Sequence, residues 1–137
     1  MLKKKTPHHK DHRSFKVPLL VFDLPTLVEK MKHEPNTKVD FDAMILLKSP
    51  DRQIVLTRLN EGTKIKSVQS NDLSTFQIIE GKLRIRTRKE SVILDKGQLL
   101  TVHENMKYSL TTKEETVFLL TIANSNLQSA KNKCPDI

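Results

Sequence analysis

Hydrophobic residues repeat with two different periods along this chain, and the first period is helical. Positions i, i+3, i+4 and i+7 share one helix face, and they hold Leu24, Leu27, Val28 and Met31. Asp23 precedes the pattern as a candidate N-cap, because its carboxylate can accept hydrogen bonds from the free N–H groups of a first turn. The pattern predicts one short amphipathic helix that packs on a sheet.

From Met44 onward the period is two, which is typical of strands with one buried face. Nine short segments alternate in this way: 44–48, 53–59, 63–69, 75–80, 82–88, 91–94, 98–103, 107–111 and 116–122. Gly, Pro, Asn and Asp residues between them supply turn conformations. So many short strands at this close spacing predict an all-β antiparallel sandwich or barrel.

Composition divides the chain into one folded domain between two polar ends. A length of 137 residues suits a single core. Residues 1–16 combine high charge with little apolar content, so we expect a disordered basic tail there. The folded domain should span residues 17–123, and residues 124–137 should form a polar C-terminal tail.

The net charge of +8 raises the question of a nucleic-acid partner. Residues 1–16 carry six Lys and Arg against one Asp, and residues 124–137 carry two Lys against one Asp. The remaining residues 17–123 hold sixteen basic and fourteen acidic side chains, a net charge of only +2. Because most of the excess charge belongs to a tail, we expect no nucleic-acid binding.

Two further features bear on location. No apolar run approaches the roughly 20 residues that a membrane helix needs, so we expect no association with a membrane. The single cysteine, Cys134, excludes an internal disulfide framework. It favours a reducing, cytoplasmic compartment.

Three glycines, and the residues between them, are spaced like the two motifs of a known family. The first motif consists of Gly62, Val68, Ser70, Ser74 and Gly81, and the second consists of Gly97, His103, Asn105, Tyr108 and Thr112. In these spacings the chain resembles the cupin superfamily over residues 44–123. The resemblance implies a cupin-like double-stranded β-helix, a jelly-roll barrel that carries the short N-terminal helix.

One residue of the second motif supports the resemblance through its backbone preference. Asn105 stands where the family has a turn glycine. After Gly, Asn is the residue that best tolerates left-handed backbone. We therefore expect a positive φ at Asn105.

The resemblance also bears on metal binding. The family holds its metal through His, His, Glu and His at positions that are here Val68, Ser70, Ser74 and Tyr108. Val68 has no donor atom, and neutral hydroxyls are poor ligands for ions that imidazole and carboxylate groups bind. We therefore expect no metal and no other cofactor inside the barrel.

Strand alternation places one set of side chains on the inward face of the barrel. These candidates for a ligand pocket are Val68, Ser70, Ser74, Phe76, Ile78 and Tyr108. They would line either an apolar pocket with a few hydroxyl groups, suited to a small molecule, or a filled core whose hydroxyls bond to backbone. The sequence leaves both alternatives open.

Two functions follow from these features. The first is a metal-free cupin-like protein that binds a small molecule or serves as an interaction module. The alternative is a metal-independent isomerase or lyase on a polar small molecule, with Tyr108 and His103 as an acid–base pair. No second histidine or paired carboxylate in the motifs orients His103, so catalytic residues stay unassigned.

The most regular charge pattern of the domain lies in the fifth predicted strand. Its alternating cations are Lys82, Arg84, Arg86 and Arg88. This face could bind phosphate or another anion. We expect instead a solvated face whose cations pair with Glu80, Glu90 or Asp95.

The resemblance implies a homodimer, since cupin-like barrels commonly pair through sheet faces or edges. An open β-sandwich also leaves strand edges that must be covered. Residues 17–22 are apolar enough to cover one such edge, on their own chain or on a partner chain.

Overall fold

The computed structural model describes residues 19–33 and 41–123 of the chain. The predictions made for residues 1–16 and 124–137, including Cys134, lie outside these ranges. Within them, no helix is long and apolar enough to cross a membrane. The domain boundaries, the two tails and the cytoplasmic location stay predictions.

The described chain forms one helix and nine strands in two layers. In chain order they are α1 (Leu24–His33), β1 (Phe41–Ser49), β2 (Arg52–Leu59), β3 (Lys64–Gln69), β4 (Leu73–Glu80), β5 (Lys82–Arg86), β6 (Ser91–Asp95), β7 (Leu99–Val102), β8 (Lys107–Thr111) and β9 (Thr116–Ala123). A five-stranded sheet has the order β1-β2-β9-β4-β7, and a four-stranded sheet has the order β3-β8-β5-β6. All strand pairs are antiparallel, which confirms the all-β prediction.

The inner faces of the two sheets enclose one hydrophobic core. Its buried side chains come from strands of both sheets: Leu59, Phe76, Ile78, Leu83, Ile85, Leu94, Val102, Tyr108, Leu110 and Phe118. Alternation in β9 points Phe118 into this core and Val117 to the opposite face of the five-stranded sheet. The five-stranded sheet therefore has a second apolar face to cover.

Helix α1 covers that second face. Asp23 caps its start, with a carboxylate oxygen 3.4 Å from a first-turn backbone nitrogen. Val28 and Met31 are buried in the cluster on the outer face of the sheet. Lys32 Nζ lies 2.9 Å from Glu80 Oε1, and this hydrogen bond and the charge of Glu80 raise the pKa of Lys32. The predicted helix and its sheet-packing face are confirmed.

Strand β3 contains a bulge that the alternation did not predict. Its register with β8 shifts between Ile65 and Val68, and Ser67 has a φ of 57°. Simple alternation from Ile65 would turn Val68 outward. The extra residue of the bulge returns Val68 to the inner face, where it pairs with Tyr108.

Strand β5 is shorter than predicted. The sequence predicted four cations on one face of this strand, and this prediction is wrong for Arg88. The strand ends at Arg86. The Thr87 hydroxyl accepts a hydrogen bond from the Glu90 N–H at 3.2 Å, and the Thr87 N–H donates to the Glu90 carbonyl at 2.8 Å. This local turn competes with the ladder, so Arg88 lies in the turn after β5.

A buried arginine joins the edge of the five-stranded sheet to a loop. The Arg58 side chain is 3% exposed. Its Nη2 lies 2.6 Å from Asp42 Oδ2 on β1, and its Nη1 lies 3.0 Å from Glu115 Oε2 before β9. Removing both carboxylates would leave an uncompensated buried charge, which costs far more than an exposed ion pair contributes.

Two positions with positive φ fix sharp turns. Asn105 has a φ of 66°, which confirms the expectation, and its N–H donates to the Ser70 carbonyl at 2.7 Å. Gly81 has a φ of +85° where the chain passes from the five-stranded to the four-stranded sheet. A Cβ on Gly81 would lie 2.7 Å from Thr116 Oγ1 and against the Glu115 carbonyl oxygen.

We predict that Gly81→Ala destabilises the protein more than Gly97→Ala. Both glycines have a positive φ, but a Cβ at Gly97 would meet no atom within 4 Å. Gly97→Ala should therefore cost only the backbone strain of about 1–2 kcal/mol. Gly81→Ala should cost about 1–3 kcal/mol more, because buried backbone must move. Urea unfolding measures both, and equal losses would contradict the close approach.

Candidate functional site

Tyr108 lies between the two sheets, where the cupin resemblance places a metal ligand. It belongs to β8 and is 6% exposed. Its ring meets Phe76 of β4 edge-on, with ring centroids 5.9 Å apart and an interplanar angle of 88°. Phe76 in turn packs against Phe118 of β9 at 5.3 Å. Three aromatic rings from the two sheets therefore occupy the centre of the interior.

The polar end of Tyr108 has a buried hydroxyl residue near it. Ser74 is also buried, and its side chain acts on the Tyr108 phenol. Burial raises the pKa of Tyr108, and the interaction with Ser74 opposes that rise. Because the net direction is upward, Tyr108 stays a neutral phenol at physiological pH and is a poor general base.

The other pocket candidates divide between core and turn. Ile78 is buried in the core, and Val68 packs against its margin. Ser70 is half-buried, and its hydroxyl accepts a hydrogen bond from the Asp72 N–H at 3.0 Å. The structure therefore brings Val68, Ser74 and Ile78 together around the aromatic rings, whereas the Ser70 hydroxyl serves a turn.

His103 lies apart from this interior. Strand β7 ends at Val102, one residue earlier than the segment predicted from the alternation, so His103 follows the strand as an exposed residue. Among the hydrogen bonds of the described residues, none joins His103 to Tyr108. The acid–base pair of His103 and Tyr108, which an isomerase or lyase would use, therefore does not form in this geometry.

The interior does not fit the metal that a cupin-like fold implies. Val68 offers no donor, the Ser70 hydroxyl is used in a turn, and Ser74 and Tyr108 offer only a neutral hydroxyl and a neutral phenol. In residues 19–33 and 41–123, no three His, Cys, Asp or Glu side chains group together as a ligand set. A single neutral phenol and two hydroxyls do not make a site for Fe, Mn, Ni or Zn.

A concavity lies instead on the outer face of the four-stranded sheet, with a volume of about 410 Å³. Its polar lining includes the cations Lys64, Lys82, Arg84, Arg86 and Lys113. Ser109 and Thr111 of β8 lie between them. Below, "the basic concavity" means this surface. The alternating cations of β5 indicated this surface in the sequence. The lining residues from β3 and β8 were not predicted, because their position depends on the strand order.

The expected ion pairs of β5 form only in part. Lys82 Nζ lies 3.2 Å from Asp95 Oδ1 on β6, as expected. Among the ion pairs of the described residues, none involves Arg84 or Arg86. Glu114 is the acidic residue of the lining. The basic concavity therefore keeps a strong positive charge.

Comparison with known proteins identifies the fold. No family model matches the sequence, and no curated protein matches it. Among solved structures, a conserved protein of unknown function from Streptococcus pyogenes aligns with a TM-score of 0.61 at 20% identity, over 77% of this chain and 87% of that chain. The cupin domain of Cnp3 from Schizosaccharomyces pombe aligns with a TM-score of 0.60 at 18% identity, over 71% and 70%.

A cupin superfamily protein from Desulfitobacterium hafniense also aligns, with a TM-score of 0.59 at 18% identity, over 61% of this chain and 77% of that chain. At these identities the likeness concerns the fold alone. The chain has a cupin-like jelly-roll fold, as its glycine spacing and strand rhythm predicted.

Proposed function

We propose that this protein is a metal-free, non-catalytic interaction module of cupin-like fold that acts as a homodimer. The observation that carries the proposal is the aromatic packing of Phe76, Tyr108 and Phe118 in the interior. Binding or catalysis inside the barrel would require displacing these side chains from a close-packed core. We therefore assign the binding of partners to the surface of the protein.

The state of the interior hydroxyls supports this proposal over a small-molecule pocket in the barrel. A binding pocket needs polar groups that are free to meet a ligand. Ser74 and Tyr108 are both buried among core side chains, and the Ser70 hydroxyl holds a turn. A ligand would have to enter the packed core and replace the turn bond.

We predict that purified protein lacking residues 1–16 contains no stoichiometric Fe, Mn, Ni or Zn. The deletion removes His8, His9 and His12, which could bind metal independently of the fold. Elemental analysis is the measurement, and the full-length chain is its control. One metal ion per truncated chain would show that the interior forms a metal site and would overturn the proposal.

The proposed dimer interface begins at an apolar segment in front of α1. Leu19 and Val21 are 82% and 89% exposed, and Leu20 and Phe22 are also exposed. Strand β1 is an edge of the five-stranded sheet and exposes two further large apolar side chains. An exposed apolar edge invites pairing. A second copy could bury both features at once, with the segment of one chain against β1 of the other.

We predict that light scattering gives a mass of twice 15.8 kDa at micromolar concentration. Val21→Asp should shift the protein toward monomer, because a carboxylate would enter an apolar interface. Leu99→Asp is the matched control, since Leu99 is 61% exposed on β7 at the opposite edge of the same sheet. A wild-type mass near 15.8 kDa would refute the dimer. Dissociation by Leu99→Asp alone would place the interface at β7.

A further inference from the structure

We propose that the basic concavity binds a small organic phosphate, a phosphate ester whose anionic group meets the arginines and whose organic part lies on Ile93. The proposal goes beyond the interaction module argued above. It uses the outer face of the four-stranded sheet, and neither the filled interior nor the dimer enters into it.

Strand register assembles the basic concavity from four strands. Arg84 of β5 pairs with Thr111 of β8 on one side and with Ile93 of β6 on the other. Lys64 of β3 also pairs with Thr111, so one row runs Lys64, Thr111, Arg84, Ile93 across the sheet. Because neighbouring strands lie about 4.8 Å apart, Lys64 and Arg84 flank Thr111 from opposite sides.

A second row adds another arginine and another hydroxyl. Arg86 follows Arg84 by two residues, so both point to the same face of the sheet. Arg86 pairs with Ser109 of β8, as Arg84 pairs with Thr111. The backbones of two arginines and two hydroxyl residues therefore lie at the corners of one small area, and all four residues line the basic concavity. The guanidinium groups carry only hydrogen-bond donors, and each hydroxyl can rotate to donate its hydrogen to an incoming oxygen anion.

Within the described residues, the cations of this area are only partly neutralised, by Asp95 and by Glu114 in the lining. Lys82 has Asp95 as its partner, but Arg84 and Arg86 have no ion pair among the described residues. Like charges at this spacing repel one another. A bound anion would remove the repulsion, and a planar guanidinium can hold two phosphate oxygens at once.

The size and the lining of the basic concavity favour a small ligand over a polymer. Its volume of about 410 Å³ lies within the range of roughly 300–1,000 Å³ of small-molecule sites. Ile93 is 52% exposed in its wall and offers apolar contact to an organic group. The lining holds no aromatic residue on which a nucleic-acid base could stack.

The experiment uses full-length protein and calorimetric titration with phenyl phosphate at about 0.15 M salt, where exposed charges are screened beyond about 8 Å. The double variant Arg84→Gln/Arg86→Gln should weaken binding at least about tenfold, because charge-assisted hydrogen bonds are lost. Arg88→Gln/Lys89→Gln removes the same charge from the adjacent turn and should change the affinity less than about twofold. Circular dichroism checks that both variants fold.

Ile93→Thr tests the organic part separately. It should weaken binding of phenyl phosphate about three- to tenfold, as the loss of apolar contact predicts. Its affinity for inorganic phosphate should not change. Equal effects on the two probes would contradict the assigned role of Ile93.

Three results would overturn the proposal. Phenyl phosphate that does not bind at millimolar concentration would remove the site. Equal loss in the two double variants would show that net charge alone is responsible. A single-stranded oligonucleotide that binds more tightly than phenyl phosphate, and that depends on Arg84 and Arg86, would make this face a nucleic-acid surface instead.

Discussion

The edge-on contact between Phe76 and Tyr108 is the interaction on which the rest of this structure depends. Phe76 belongs to the five-stranded sheet and Tyr108 to the four-stranded sheet, so the contact joins the two layers at their centre. Aromatic pairs in this geometry contribute about 0.5–1.5 kcal/mol beyond their buried area. The same contact occupies the place where the cupin resemblance puts a metal ligand, and this is the reason that we propose recognition outside the interior.

The outer faces of the two sheets, where we propose that recognition takes place, differ in character. Helix α1 covers the five-stranded sheet through Val28 and Met31. The outer face of the four-stranded sheet presents Lys64, Arg84 and Arg86 instead. Among the described residues, one outer face is apolar and covered by a helix, while the other carries a group of basic side chains.

The sequence predicted the elements better than the site. Alternation and turn residues located the strands, and the preference of Asn for left-handed backbone predicted the φ of Asn105. A period of two does not reveal how far apart two sheets pack, so it left open whether Tyr108 lines a pocket or fills a core. It also did not reveal the bulge at Ser67 or the buried Arg58, because both depend on residues from other strands. The sequence predicted only part of the basic concavity. The alternating cations of β5 were recognisable, but the residues of β3 and β8 depend on which strands lie next to β5.

Alkaline titration of the phenol tests the filled interior most directly. Tyr108 is the only tyrosine, and the chain has no tryptophan, so phenolate absorbance reports this side chain alone. Because burial raises the pKa of Tyr108, the protonated phenol favours the folded state. This contribution to stability should be complete below the ordinary pKa of 10.0 and should be lost as the pH rises through the folded-state pKa. The account predicts that the phenol of the folded protein ionises with a midpoint above pH 10.0, together with loss of stability. Reversible ionisation of folded protein with a midpoint at or below pH 10.0 would show a solvated phenol and would contradict the account.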